Sequence, residues 1–464
     1  MQTPRDILAE LWTSVGGEAA ALDRVTLSGD EPQLPSSFRV AAAAQVSIAA
    51  AGLAAARIWQ LRSGQSQQVA VDMRHAMVEC RSERYLRVDD QPAPPAWDAI
   101  AGVYRSRDGF VRLHTNFVHH RDAVCRVLGC AAERDAVQAA LRHWDGEAFE
   151  TAAYAEGGVV ARMRSHDEWS ALPQAKALAA LPLISIEKIG EAPARPWASG
   201  DRPLAGVRVL DLSRVIAGPV AGRTLAAHGA EVMLISGAEL PAIPWLTIDN
   251  GRGKLSAFLD LKTEPGRAGL RDLLAEADIF SQGYRPRALA ELGFSPEAVA
   301  QISPGIIHVS LSAYGAAGPW AERRGFDSLV QCATGFNHAE GEAAGVEGPK
   351  ELPAQMLDHA TGYLMAFGAM MAKARQSREG GSWHVRVSLA QTGQWLWNLG
   401  RIDDGLRTPD IGGDALAPFI EEMPSGFGPL RAVRHSAVLS KTPAFWARPA
   451  MPLGSDRPQW PAPQ

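Results

Sequence analysis

Asp358 stands in LDHATG, at the head of an uncharged helical stretch, HATGYLMAFGAMMA. Aspartate is a favoured helix N-cap. A carboxylate there is also favoured as an anion by the helix dipole. The position therefore suits either a plain cap or an anionic nucleophile. A second candidate is the turn RVIAGP after the apolar run VRVLDLS (207–213), with Gly218 and Gly222 four apart. It lacks the G-x-G-x-x-G fingerprint, so a nicotinamide dinucleotide is not expected. Pro219 suits a first helical turn. The exposed N–H groups of such a turn either start an ordinary helix or hold a phosphate or carboxylate. His114, His119 and His120 come with no Asp, Glu or Cys at ligand spacing, so they read as surface histidines and no metal is expected. The glycine-rich stretch 335–348 reads equally as a mobile loop over a site or an exposed connector.

These residues need elements to position them. VRVLDLS, AEVMLIS (230–236), ADIFSQG (277–283) and GIIHVSLS (305–312) are apolar strands, and 264–276 is helical. Apolar strands alternating with helices predict a parallel sheet covered on both faces, with ligands beyond the strands' carboxyl ends. Residues 42–74 align without gaps onto 358–390. Ala44/Ala360, Gly52/Gly368, Gly64/Gly380, Val69/Val385 and Val71/Val387 are among the matching pairs. Each copy is a small-residue helix, a basic glycine turn and an alternating strand, which points to a duplication. A strand pair around Asp108–Gly109 followed by helices predicts a separate α+β unit. The proline-rich 442–464 should lie extended over a surface. The expected division is a degenerate helix–strand repeat over 1–97, a small α+β domain over 98–200, a Rossmann-like domain over 201–400 and an extended segment over 401–464.

A net charge of −5 and a pI of 6.2 supply no basic field for nucleic acid or anionic membrane. The four cysteines form no C-x-x-C pair and suit a reducing compartment. The N-terminus has acids where a signal peptide needs an apolar core, so a cytoplasmic location is expected. The charge-free stretch 40–56 is short for a membrane span and reads as a buried helix.

Five ordered runs resemble the family III CoA-transferases, which include carnitine-CoA and formyl-CoA transferases. They are VRVLDLSRVIAGP, GRGKLSAFLDLKTEPGR, YRPRALAELGF, SAYGAAGPWAERRGFDSLVQCATG and LDHATG, all within 207–362. AGVYRSRDGFVRL and RSHDEWSALPQAKAL resemble that family's small domain, and LSKTPAFWARPAMPLG its C-terminal end. The resemblance implies an α/β fold: a Rossmann-like parallel-sheet large domain with a smaller α+β domain, its parts rearranged in order and partly duplicated. In the family the small domain follows the large one, whereas here it comes first.

The resemblance also implies the chemistry. The family's nucleophile falls on Asp358, and its counterpart in the first copy is Ala42. In family members an aspartate attacks an acyl-CoA thioester, giving a mixed anhydride and CoA thiolate. The thiolate then forms an aspartyl-CoA thioester, and an acceptor acid runs the sequence in reverse. The substrates implied are CoA thioesters and carboxylic acids, with no tightly bound cofactor. CoA contacts fall on Ala217, Leu259, Lys262, Tyr284 and Ala288, with Arg324 at a CoA-contacting basic position. Arg285 matches the motif's basic residue, and Arg214 stands where the residue type varies. Relatives usually carry Glu, and further on Gly-Asp and Arg, after the second strand. Ser236 and Gly237 stand here instead, and Gly283 replaces the usual Asn.

Two alternatives stay open: an acyl-CoA racemase or isomerase of the same fold, and a catalytically impaired CoA-binding relative. Racemase members use a His-Asp pair where Phe326 and Asp327 stand, and Phe326 cannot move a proton. Phe326, Phe336, Met356 and Trp383 suggest an apolar acyl group. An apolar face on the 42–74 element, lacking a sheet of its own, should pack on the large sheet's edge or on a second chain, which predicts a homodimer.

Overall fold

The computed structural model describes residues 1–462. Its central sheet has seven strands, in spatial order Lys254–Phe258, Glu231–Ser236, Arg208–Leu212, Ile279–Gln282, Ile307–Ser312, Ser382–Ser388 and Ser185–Gly190. The first six run parallel. Counted from Arg208, their order is 3-2-1-4-5-6, the doubly wound arrangement whose crevice opens between strands 1 and 4. Near-continuous burial of Val209, Leu210, Leu212, Ile279 and Phe280 fits strands covered on both faces. The seventh strand is antiparallel. It comes from the stretch assigned to the small domain, so a boundary at 200 cuts through the sheet. The Lys254–Phe258 strand also escaped the sequence reading, because charged and small residues interrupt its apolar pattern.

The repeat is visible in three dimensions. The Val40–Ser63 helix leads to the Val69–Asp72 strand, and the Met356–Glu379 helix to the Ser382–Ser388 strand. A Cβ at Gly52 would lie 3.2 Å from Val69 Cγ1, and one at Gly368 would lie 2.6 Å from Val385 Cγ1. Matching glycines thus let matching valines press onto each helix, a shared detail that convergence of two alanine-rich helices does not explain. The two long helices pack against each other. Val40–Ser63 is long and apolar enough to cross a membrane, yet 94% of its most apolar window is buried inside the protein.

Two expectations need correction here. The first copy does have a sheet: Val69–Asp72 pairs with Val25–Ser28 and with Ala437–Leu439. Its apolar helix is covered by its twin, not by the large sheet's edge, which removes the ground on which a dimer was expected. The 401–464 segment is not simply extended either. Ile420–Met423 and Leu430–Val433 pair with each other, and Leu430–Val433 pairs with Arg87–Val88. From 442 onward the described chain has no helix or strand. It is pinned to the large unit by Trp446 Nε1 on Arg223 O (3.0 Å) and Trp460 Nε1 on Leu273 O (3.0 Å).

The small unit has a three-stranded antiparallel sheet, Gly102–Arg105, Phe110–Leu113 and Val160–Arg162. Its own core holds Tyr104, Val111, Leu113, Val124, Val137 and Phe149. The stretch 335–348 is neither loop nor connector over most of its length. It forms the Phe336–Ala344 helix between the left-handed residues Gly335 and Gly345.

Candidate active site

The crevice between strands 1 and 4 is where the sheet delivers its side chains. Asp358 is the third residue of the Met356–Glu379 helix, inside the first turn and not at the cap, which is Gln355. Its backbone N–H donates to Asp327 Oδ2 at 2.8 Å. Asp327 therefore caps this helix from a different element, the Asp327–Ala333 helix. Gln331 Nε2 donates to the other oxygen of Asp327, while Gln331 Oε1 accepts from the Leu352 N–H at 3.0 Å. The Asp327 carboxylate is thus held by donors. The Asp358 carboxylate receives no hydrogen bond from the described residues.

That asymmetry sets the electrostatics. Burial first, then the Asp327 charge, then the Glu83 charge push the Asp358 carboxyl well above the usual carboxylate range. Burial raises Asp327 too, against the pull of its hydrogen bonds. Two carboxyls sharing one dry site resist double ionisation. Asp327 has the hydrogen-bond donors, so Asp358 is the one pushed furthest. Burial also raises Glu83, but its 3.1 Å hydrogen bond to His359 Nε2 and the His359 and Arg84 charges outweigh it.

The start of the Ala217–Ala227 helix lies against the Asp358 helix. A Cβ on Gly362, one turn past Asp358, would fall 2.5 Å from Ala217 O and 2.8 Å from Val220 Cβ. Only glycine permits this approach. Val215, just before that helix, has φ of 72°. Such a conformation is an outlier for a β-branched residue and marks stored strain. Gly222 has a plainer purpose than phosphate binding: its missing side chain leaves room for the buried Lys254–Asp211 ion pair (2.7 Å).

Asp358 faces two cavities, and Val215 and Phe326 stand at the wall between them. One, about 400 Å³, is lined by Arg214, Ala217, Tyr284, Arg285, Ala288, Arg323 and Arg324. Arg285 is paired with Glu291 and Arg323 with Glu150. Arg214 and Arg324 have no acidic partner among the described residues, and Arg214 stacks over Phe117 with Cζ 4.8 Å from the ring centre. Leu259 and Lys262 line neither cavity. Leu259 follows the Lys254–Phe258 strand, its N–H bonded to Ser236 O at 3.0 Å, and Lys262 is exposed beyond it. The second cavity, about 590 Å³, has Trp97, Ile216, Ile243, Trp245 and Phe326 in its walls, with Glu83, Arg84, Asp98 and Ser328.

The histidines are not surface residues in the main. His114 and His120 are buried, and His114 stacks on Phe326 at 3.8 Å with rings 9° apart. Burial, with neighbouring positive charge, brings both down to about 3, so both are neutral near pH 7. Phe336, Met356 and Trp383 are buried and line neither cavity. The contributions of Glu83, Trp97 and Trp245 were missed in the sequence, and Asp327 was named there only as the racemase-type aspartate, not as the cap of the Asp358 turn. The proline-rich run QPAPPAW is the one local signal that could have marked a rigid wall at Trp97. No cluster of metal-ligating side chains occurs among the described residues.

The sequence model of CoA-transferase family III matches residues 204–412. This stretch is similar in sequence to the family III CoA-transferases. It contains Asp358 and the two arginines of the first cavity that lack an acidic partner among the described residues, Arg214 and Arg324. The acetyl-coenzyme A transferase nodX of Hypoxylon pulicicidum is 36% identical to the chain over 203 residues, covering 43% of this chain and 34% of that protein. An acyl-CoA transferase of Gibberella moniliformis is 27% identical over 439 residues, covering 84% of this chain and 75% of that one. That alignment runs well beyond the matched stretch, so the relative shares sequence outside 204–412 in the same order. A solved structure from Mycobacterium tuberculosis is 31% identical, covers 43% of this chain and 57% of its own, and superposes with a TM-score of 0.40. The chain spans about a third to a little over half of the length of most curated relatives it matches.

Proposed function

We propose that the chain transfers CoA between carboxylic acids through covalent intermediates on Asp358. One observation carries the reading. A buried carboxyl group with no hydrogen bond among the described residues faces a cation-lined cavity on one side and a mostly apolar one on the other.

The CoA carrier bears phosphates, and Arg214 and Arg324 offer charge without acidic partners in the first cavity. With the thioester beside Asp358, an Asp358 oxygen attacks the acyl carbon and the C–S bond breaks. The products are an aspartyl-acyl anhydride and CoA thiolate. The thiolate attacks Asp358 Cγ, the bond to the acyl oxygen breaks, and the donor acid leaves as a carboxylate. An acceptor carboxylate then attacks Cγ and expels the thiolate, which attacks the new acyl carbon and restores Asp358. No net proton moves. A carboxylate is a weak nucleophile, and a raised pKa makes it a better one once ionised. The Asp327 charge favours that gain, and the hydrogen bond from Asp358 N–H to Asp327 fixes the helix turn that aims the group.

The racemase alternative fits less well. It needs a proton-transferring side chain beside Asp327, and Phe326 stands there, stacked on a neutral buried histidine.

Replacing Asp358 with Ala should abolish transfer, and replacing it with Asn should nearly do so, while CoA binding persists. Full activity in purified Asp358→Ala would refute the mechanism.

A further inference from the structure

We infer that the larger cavity beside Asp358 receives the bulky apolar body of a monocarboxylic acyl group and discriminates against short dicarboxylic acids. The inference rests on the transferase reading in taking Asp358 as the reacting group.

Size and lining come first. About 590 Å³ is more than a short diacid fills, and it falls in the range of pockets that bury a drug-sized ligand. Trp97, Trp245, Ile243 and Phe326 present apolar surface to it. Two of these walls are held in place: Arg112 Cζ lies 4.6 Å from the Trp97 ring centre, and His114 stacks on Phe326. A cavity with fixed apolar walls gains from burying hydrocarbon and loses little to ordering.

Charge decides against a diacid. A second carboxylate would need a cation at the far end, because an unpaired buried charge is strongly disfavoured. Arg84 is the one cationic side chain among the described residues lining this cavity, and it lies 3.6 Å from Glu83. Asp98 accepts from Thr115 Oγ1 at 2.8 Å and lies 3.6 Å from Arg121. Apart from Asp358, the reacting group, the acids in the wall thus have partners, and the lone cation has one too. Buried polar atoms in the wall that lack partners are neutral: Ser328 Oγ, Trp245 Nε1 and His114 Nδ1. They can meet a carbonyl or hydroxyl oxygen, but none supplies a full positive charge.

The test uses the full chain with two acids as probes, 3-phenylpropanoate and glutarate, and their CoA thioesters. Calorimetry reads binding of the free acids, and label exchange reads CoA transfer. The wild-type protein should bind 3-phenylpropanoate at least about tenfold more tightly than glutarate and prefer its thioester by a similar factor in kcat/KM. Ile243→Arg places a cation in the cavity and should narrow or invert both ratios. Trp97→Arg, at a residue 39% exposed, makes the same test where Ile243→Arg fails to fold. Tighter glutarate binding by the wild type, or ratios unmoved by the arginine of a folded variant, would overturn the inference. If the apolar acid binds with the expected dependence on these variants but no thioester exchanges, the cavity assignment stands and the transferase reading falls.

Discussion

Asp327 and Asp358 share one buried site, and their charges couple stability and activity to pH. Folding raises the Asp358 pKa above its unfolded value. The protonated form is the one folding favours. Its contribution to stability is therefore complete below the ordinary carboxylate pKa and is lost as pH rises through the raised folded value. Asp358→Asn should melt higher than the wild type at pH 8, by roughly a degree or more, with the gap closing toward pH 4. Thermal melts at the two pH values check this. Activity should run the other way, rising with pH as Asp358 ionises. Asp327→Asn removes the neighbouring charge and can keep an amide oxygen for the Asp358 N–H. It should shift the acid limb of the kcat profile to lower pH. An unshifted limb would show that Asp327 acts only as a cap. The motif LDHATG singled out Asp358 as the candidate in the sequence. The charges around it were not legible there: Glu83 lies far away along the chain, Asp327 entered only as a racemase-type acid, and only folding brings both to bear on Asp358. His114 and His120 were misread because burial beneath Phe117 and Phe326 leaves no periodic signature.

Among the elements, the crossing of the Ala217–Ala227 and Met356–Glu379 helices controls the site. Gly362→Ala forces a methyl group into Ala217 O and Val220, so it should cost about 1–3 kcal/mol of stability and lower transfer activity as well. Denaturant unfolding with parallel kinetics measures both. The cationic cavity gives a second expectation. Arg324→Ala should raise KM for every acyl-CoA alike, since the carrier is common to all. Lys262→Ala, outside that cavity, should have the smaller effect. The parallel strands and the repeat were readable because apolar runs and glycine turns are local signals. The Lys254–Phe258 strand was not, because its lysine is buried only by virtue of Asp211, a neighbour two strands away in the sheet.

At the scale of the whole molecule, the cavities beside Asp358 are walled by distant parts of the same chain. Glu83, Arg84 and Trp97 from the first part, and His114 and Phe117 from the small unit, wall the cavities around an aspartate more than two hundred residues later. The twin of the Asp358 helix covers that helix from the same chain. A 203–464 fragment should therefore expose the Met356–Glu379 helix, aggregate and transfer no CoA. A soluble, active fragment would make the first two hundred residues an accessory. Neither closure in cis nor the second sheet under the first repeat could be read from the sequence, since both depend on where distant segments return. The central claim is that Asp358 itself becomes acylated, and trapping tests it most directly. The full chain is incubated with an acyl-CoA, treated with hydroxylamine, digested and analysed by mass spectrometry. A hydroxamate should form on Asp358, and only when the acyl-CoA is present. Exchange of CoA between acids with Asp358 unmodified, or with the adduct on another residue, would contradict it.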